Sequence, residues 1–325
     1  MSLLSSADPN SKSDSKFKAI DLFAGIGGIR LGFQNAFKDK IDFVFASEID
    51  KHAKETYKLN YNEEPYGDIT KIDEKDIPKH NIILAGFPCQ AFSVAGYRKG
   101  FEDTRGTLFF DVARIAKYHK PEVVFLENVK GFVNHDKGNT FKVVKKTLED
   151  IGYRVYYKVL NTKDFAIPQN RERIYIVALK DSIKKEFKFP ESKEKPPHIT
   201  TFLESEVDDI YYYNNKPLYD RIKDDVVSKD TVYQWRRQYV RANKNGVCPT
   251  LTANMGTGGH NVPIIKDNKG IRKLTPTECA KLQGFEDTLK FPDNLALSHR
   301  YKQIGNSVTV KVIEEIAKEI LDVLR

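Results

Sequence analysis

Six short runs rich in β-branched and aromatic residues punctuate the first half of the chain, and helical patterns fill the gaps between them. The apolar runs cover residues 18–23, 42–47, 81–86, 122–127, 154–161 and 173–179. Helical patterns cover 28–37, 51–60, 108–118 and 140–150, and in the third of these Leu108, Val112, Ile115 and Ala116 fall on one face. Strands that are apolar almost throughout, alternating with helices, predict an α/β fold. Its expected centre is a mostly parallel, Rossmann-like sheet flanked by helices. Ligands of such sheets bind outside the carboxyl ends of the strands.

The pattern breaks near Phe189. Residues 190–198 contain three prolines and several charges, which reads as a linker. From there to about Phe291 the sequence is irregular and rich in Tyr, Asn and Gly, so a smaller, loop-rich lobe is expected. Residues 309–324 return to a helical stripe of Val312, Ile313, Ile316, Ile320 and Leu321. The polar, Ser-rich start, residues 2–16, lacks the apolar stretch of a secretory signal and is read as a flexible tail. No apolar run reaches the roughly 18 residues that a membrane helix needs. The three cysteines, Cys89, Cys248 and Cys279, are far apart, and no CxxC or HExxH pattern occurs. Neither a disulfide framework nor a metal site is expected, and a reducing cytoplasmic setting is.

The net charge of +8 suits a polyanionic partner and a solvated Lys-rich surface equally well. Its distribution says more. Residues 231–266 contain no Asp or Glu but hold Arg236, Arg237, Arg241, Lys244 and Lys266, with Tyr233, Trp235 and Tyr239 between them.

Chemistry-bearing residues recur where the predicted strands end. After the first, Gly25, Gly27 and Gly28 permit a tight turn and close approach of a ligand to the backbone. Glu48 ends the second, where a carboxylate can take both hydroxyls of a ribose, and Asp68 in Gly67-Asp68-Ile69 can accept from an adenine amino group. Each alone is equally a structural turn or cap; together they point to an adenosyl ligand. The spacing is not GxGxxG, which argues against a nicotinamide. After the third strand, Pro88 stiffens the chain before Cys89, while Gly96 and Gly100 bracket a polar stretch able to move as a lid. A lone Cys is usually an inert buried residue, but one presented at a strand end between Pro and Gln can serve as a nucleophile. Cys248 and Cys279 lack that setting and are read as structural. Glu127 and Asn128 end the next strand beside it. A desolvated Glu there can hold a proton near neutral pH, or simply cap a helix or pair with a cation. Arg171 and Arg173 can bind a carbonyl oxygen or phosphate, or pair with acids such as Glu172.

Taken in order, these segments resemble the DNA (cytosine-5)-methyltransferase family, in particular compact bacterial enzymes of restriction–modification systems. The likeness rests on DLFAGIGG (21–28), GDIT (67–70), GFPCQAFSVAG (86–96), RGTLFFDVARI (105–115), FLENVKG (125–131), QNRERIYIVA (169–178), RKLTPTECAKLQGF (272–285) and YKQIGNSV (301–308). Only about 190–245 lacks a family pattern. The resemblance implies that the Cys89 thiolate adds to carbon 6 of a cytosine flipped out of the duplex, with Glu127 supplying a hydrogen bond or proton to ring nitrogen 3. Arg173 would contact the base carbonyl oxygen, and Arg171 and Asn128 would hold the site together. The methyl donor would be S-adenosylmethionine, leaving S-adenosylhomocysteine, bound by Phe23, Gly25, Ile26, Gly27, Glu48, Ile49, Asp68, Ile69, Pro88, Leu108, Asn306 and Ser307. Ile49 departs from the Trp common at this position, which implies weaker stacking on the adenine.

The implied organisation is a flexible tail (1–16), a catalytic cofactor-binding domain (17–189 plus 301–325) and a target-recognition domain with hinge (190–300). The recognition domain would present Gln234, Arg236, Arg237, Arg241, Thr250 and Asn254 to double-stranded DNA, with Ser93 approaching from the nucleophile loop. For Gln234, Arg236 and Arg237, base reading and phosphate contact stand side by side. The expected protein is a cytoplasmic monomer that reaches the nucleoid through DNA, with a cognate restriction endonuclease as an optional companion. Other readings are a non-catalytic relative, an RNA methylase, which would favour a Cys-Phe-Thr element absent here, and a nicotinamide dehydrogenase, which leaves Pro-Cys-Gln and Glu-Asn-Val unexplained.

Overall fold

A computed structural model describes residues 16–88, 108–191, 194–243, 246–256, 262–286 and 289–325. Cys89, Ser93 and the predicted lid lie outside the described residues.

Strands β1 (Phe17–Leu22), β2 (Ile41–Ser47), β3 (Ile82–Ala85), β4 (Val123–Val129) and β5 (Tyr153–Asn161) appear where the apolar runs predict them, with ends shifted by one or two residues. A two-residue strand, β6 (Gln169–Asn170), precedes β7 (Glu172–Lys180). The main sheet runs in the order β2-β1-β3-β4-β7-β5. Strands β1 to β4 are parallel, and β7 runs antiparallel to both of its neighbours. The sheet is thus mostly parallel, as the alternation predicts.

Successive residues of a strand face opposite sides of a sheet, and here both sides are apolar. Ala19, Ile82, Leu84, Val123 and Phe125 pack into one layer with α1 (Gly28–Phe37). Their neighbours Ile20, Ile83, Val124 and Leu126 pack into the other. The helices there are α3 (Leu108–His119) and α4 (Asn139–Asp150), contributing Val112, Ile115, Val144 and Leu148. Between α1 and α3 in sequence, α2 (Lys51–Tyr61) is set by its ends. The Asp50 carboxylate accepts from the backbone of His52 and Ala53, and Asn62 closes the helix in a left-handed conformation.

The later segment builds α5 (Tyr219–Ile222) and β8 (Val232–Trp235), β9 (Val240–Asn243), β10 (Cys248–Pro249), β11 (Ile264–Lys266) and β12 (Ile271–Lys273). A four-stranded antiparallel sheet has the order β12-β11-β8-β9, while β10 pairs in parallel with β6. Trp235, Tyr233, Ile264 and Ile271 form a core on one face of that sheet. The short helix α6 (Pro276–Lys281) starts with a reciprocal capping box between Thr275 and Glu278 and has Pro276 in its first turn. Glu278 also holds Arg272 through two bonds of 2.7 and 2.9 Å, deep in the interior.

The chain then forms α7 (Leu297–Asn306) and α8 (Val310–Leu324). The predicted stripe Val312, Ile313, Ile316, Ile320 and Leu321 joins the α1 layer of the main sheet. A Cβ on Gly32 would stand 2.5 Å from the Ile313 side chain, so glycine lets α1 and α8 approach closely. No described helix is long and apolar enough to cross a membrane.

Candidate active site

The order β2-β1-β3 reverses direction at β1, and crevices open at such switch points outside the carboxyl ends of the strands. A cavity of about 490 Å³ occupies that position, the size of a small-molecule cofactor site. Each wall comes from a different strand end. The turn after β1 gives Phe23, Gly25 and Ile26; the end of β2 gives Glu48 and Ile49; β3 leads to Gly86, Phe87 and Pro88; and β4 ends in Glu127 and Asn128. Asp68, Ile69, Leu108, Asn306 and Ser307 complete the predicted set.

Gly27 is the exception: it does not line the cavity. It takes a left-handed φ of 80° and faces Tyr61, whose hydroxyl donates to the Gly27 carbonyl at 2.9 Å. A Cβ there would overlap the Tyr61 ring at 2.2 Å. Its role in this structure is to let the turn form beneath the cavity, while Gly28 takes a place in the wall.

The turn and the acid after β2 are built as one unit. Glu48 accepts from the backbone N–H of Gly25 and of Asp50, each at 2.7 Å, which aims its carboxylate and leaves lone pairs on both oxygens for hydroxyl donors. Asp68 accepts from the Thr70 backbone and hydroxyl through one oxygen. Ile49 is 75% exposed at the rim, so it offers an apolar face to a ligand without being part of the core. Below the turn, Asp21 is buried with one carboxylate oxygen unpartnered, and burial raises its pKa against the pull of Arg30. Arg30 is itself enclosed by Phe43, Tyr57 and Tyr61 and bonded to Glu63 at 2.5 Å.

The acid–base end lies where β4 meets β7. Arg173 Nε stands 3.2 Å from Glu127 Oε1, and both side chains are almost enclosed. Burial raises the Glu127 pKa, while Arg173 and Arg171 act to lower it. Asn128 donates to the Phe87 carbonyl at 2.9 Å, two residues before position 89, and its carbonyl accepts from Val129 N–H. That bond clamps the β3 exit, the base of the predicted nucleophile loop, to the end of β4.

Arg171 is a buried brace. Its guanidinium donates to the carbonyls of Leu251 at 2.7 Å, Ser307 at 2.5 Å and Gly305 at 3.3 Å. Burial, reinforced by the neighbouring Arg173, pushes its pKa down to about 9. It therefore ties the β6–β7 turn to two distant segments through Nη1 and Nη2, while its Nε is buried without a partner and the side chain lines the cavity.

Among the cavity-lining residues that sequence reasoning did not single out are Asp50, Ala53, Thr252, Ala253, Lys302 and Gln303. Lys302 pairs with Asp50 at 2.7 Å, closing α7 onto the start of α2. Gln303 accepts from the Thr56 hydroxyl at 2.9 Å and leaves a buried, unpartnered amide nitrogen. The signal was present in the YKQIGNSV segment, where Gln303 and Asn306 are three apart and share a helical face.

Among the described residues, those predicted to face DNA fall in a second groove, of about 660 Å³, with one exception. Gln234, Arg236, Arg241, Thr250 and Asn254 line it together with Lys163 and Asn170. Thr250 donates its hydroxyl to the Asn170 carbonyl at 2.7 Å, so it borders this groove and not the main cavity. Arg237 stands apart at the β8–β9 turn with a left-handed φ of 67°. Cys248 and Cys279 are buried free thiols whose pKa values burial raises, in keeping with structural roles.

Comparison with known proteins brings these features together. The family model of the C-5 cytosine-specific DNA methylases matches residues 17–322. The Type II methyltransferase M.Bsp6I of Bacillus sp. (strain RFL6) is 51% identical over 307 residues, covering 92% of this chain and 96% of that protein. M.HhaI of Haemophilus parahaemolyticus, another Type II methyltransferase, is 42% identical over 326 residues and 93% of either chain. Among solved structures, the S. pombe Dnmt2 methyltransferase superposes with a TM-score of 0.76 at 23% identity, covering 95% of this chain and all of that one, a likeness of fold. On the strength of that match along nearly its whole length, the chain belongs to the family of C-5 cytosine-specific DNA methylases.

Proposed function

We propose that this DNA (cytosine-5)-methyltransferase is of the restriction–modification type, takes its methyl group from S-adenosylmethionine, and modifies a cytosine flipped out of a short duplex site. The observation that carries the reading is the meeting of two half-sites in one cavity. An adenosyl-sized cradle around Glu48 opens onto the buried Glu127–Arg173 pair and onto Pro88, the residue before Cys89.

The residues suit the cofactor. Glu48 has free lone pairs for ribose hydroxyls, Ile49 and Phe23 offer apolar faces to a purine, and the Gln303 amide nitrogen is a buried donor awaiting an acceptor. When bound, S-adenosylmethionine supplies an electrophilic methyl group. The chain supplies the rest. The Cys89 thiolate forms a bond to carbon 6 of the flipped base, which moves electron density toward nitrogen 3 and carbon 5. Glu127, protonated, donates at nitrogen 3 and balances that density. Arg173 holds Glu127 in place and reaches the base carbonyl oxygen, while Asn128 fixes the strand exit that carries the nucleophile loop. Methylated carbon 5 then loses its proton to a base, the Cys89–carbon 6 bond breaks, and the proton on nitrogen 3 returns to Glu127.

The groove lined by Arg236, Arg241 and Lys163 would take the duplex, with residues 190–300 serving as the recognition part. The asymmetric arrangement of cavity and groove suits a monomer acting on DNA in the cytoplasm, alongside a restriction endonuclease where one is paired with it.

The test is transfer of radiolabelled methyl from S-adenosylmethionine to mixed-sequence duplex DNA. Label is expected as 5-methylcytosine with wild-type protein and is expected to vanish with Cys89→Ser. A folded, cofactor-binding wild type that labels RNA but not duplex DNA would replace this reading with RNA methylation.

A further inference from the structure

Two walls of the cofactor cavity meet at a side chain that the reaction above does not use. Ile69 reaches the cavity from a single turn of 3-10 helix, Ile69–Lys71, and Leu108 reaches it from the first residue of α3. Arg114, further along α3, joins the two. Its Nη2 donates to the Ile69 carbonyl at 2.7 Å and its Nη1 to Glu74 at 2.8 Å. Its Nε donates to Asp111, in the first turn of the same helix, at 2.9 Å. A guanidinium is planar, so bonds in three directions fix both its place and the distance from α3 to the turn. Arg114 itself does not line the cavity and acts from behind the wall.

The residue that opens this turn is Asp68. One of its carboxylate oxygens takes both Thr70 donors, and the other meets the exposed Lys71 at 3.8 Å. Asp68 lines the cavity, while Asp111 stands behind it on α3. Burial, and more weakly the charge on Asp68, raise the Asp111 pKa, and Arg114 lowers it. Arg114 is thus the cation that lets acids of the turn and of the helix stand close together.

Resting on the S-adenosylmethionine reading above, we propose that Arg114 is a positioning residue for purine selection, holding the Asp68–Ile69 turn where Asp68 accepts from a 6-amino group and disfavours a 6-oxopurine. The chemistry of the two purines differs at that atom. An adenine amino group donates to a carboxylate, whereas a 6-oxo group is an acceptor facing an acceptor. A carboxylate discriminates in this way only from a fixed position, because a turn free to retreat lets water come between the two groups.

The experiment measures dissociation constants by calorimetry on the full-length protein for S-adenosylhomocysteine and for S-inosylhomocysteine, its 6-oxo counterpart. Wild type should prefer the adenosyl ligand by about 10-fold or more, the worth of one hydrogen bond to a charged group. Arg114→Met should lose most of that preference. Added to Asp68→Asn, it should reduce the preference no further, as expected of two residues that act through one contact. In methyl transfer, Arg114→Met should raise the KM for S-adenosylmethionine by about 10-fold, a defect that saturating cofactor overcomes. Should Arg114→Met fail to fold, Arg114→Lys, which keeps the charge and loses the fork, decides on the same ratio of affinities. Both ligands weakened by one factor, with the preference intact, would make Arg114 a structural brace and overturn the proposal. So would a loss of preference that persists in full on the Asp68→Asn background. A wild type that binds both ligands alike would remove Asp68 as the reader of the purine, and the proposal with it; one that binds neither would overturn the cofactor reading first.

Discussion

Burial and ion pairing pull the Glu127 carboxyl in opposite directions. Burial is the larger influence and raises its pKa; the guanidiniums of Arg173 and Arg171 only reduce the rise. In the unfolded chain this group ionises near pH 4.3. Below that pH both states hold the proton and the carboxyl has no net effect on stability. As pH rises above it, the unfolded state ionises first, so folding becomes less favourable until the folded group also ionises. Glu127→Gln removes that penalty. The variant should be more stable than wild type at pH 8, with a gap that closes toward pH 4, as read from denaturant midpoints across pH. Methyl transfer should fall by about 100-fold or more, since Gln cannot donate a proton to nitrogen 3. A variant less stable than wild type at every pH would mean that the Arg173 pair, not burial, governs this site.

Elements were legible in the sequence wherever one period dominated. The six strands and α1 to α4 follow from alternating apolar runs and helical stripes because each is buried on a constant face. The later segment resisted that reading. Strands β8 and β9 are four residues long, too short for a period to show, and their polar groove face carries Gln234 and Arg241. Helix α7 was missed because it buries Gln303 beside Tyr301 and Ile304, which blurs its stripe. Likewise, Gly27 was expected in the cofactor wall because composition shows a glycine without showing which way its Cα faces. The α1–α8 contact gives a prediction on this scale. Gly32→Ala places a methyl against Ile313 and 3.1 Å from the Glu314 backbone N, which cannot swing aside as a side chain tip would. The overpacking should cost about 1–3 kcal/mol, visible as a lower denaturant midpoint with the cofactor cavity intact.

The molecule as a whole depends on junctions between segments remote in sequence, and Arg171 is the junction whose loss should reach furthest. One guanidinium serves Leu251 in the later segment, Gly305 and Ser307 at the end of α7, and its own turn between β6 and β7. Two of these partners, Gly305 and Ser307, line the cavity, and Leu251 precedes the lining residue Thr252. Removing the guanidinium takes this donor from the Leu251 and Gly305 carbonyls, at about 1–3 kcal/mol each, and leaves Ser307 with only the longer bond from Gln283 at 3.4 Å. Arg171→Ala should therefore lose several kcal/mol of stability. Arg171→Lys is the more informative variant, because it keeps a cation but cannot span carbonyls that the planar fork reaches together. It should fold with a lower midpoint and bind S-adenosylhomocysteine more weakly, since the Gly305–Ser307 wall is no longer held to the sheet. Its residual methyl transfer should recover in part at saturating cofactor, because Arg171 touches backbone and not the reacting base. If Arg171→Lys instead binds cofactor as wild type does yet stays inactive at saturation, then the guanidinium acts on the substrate itself, and the brace described here is secondary.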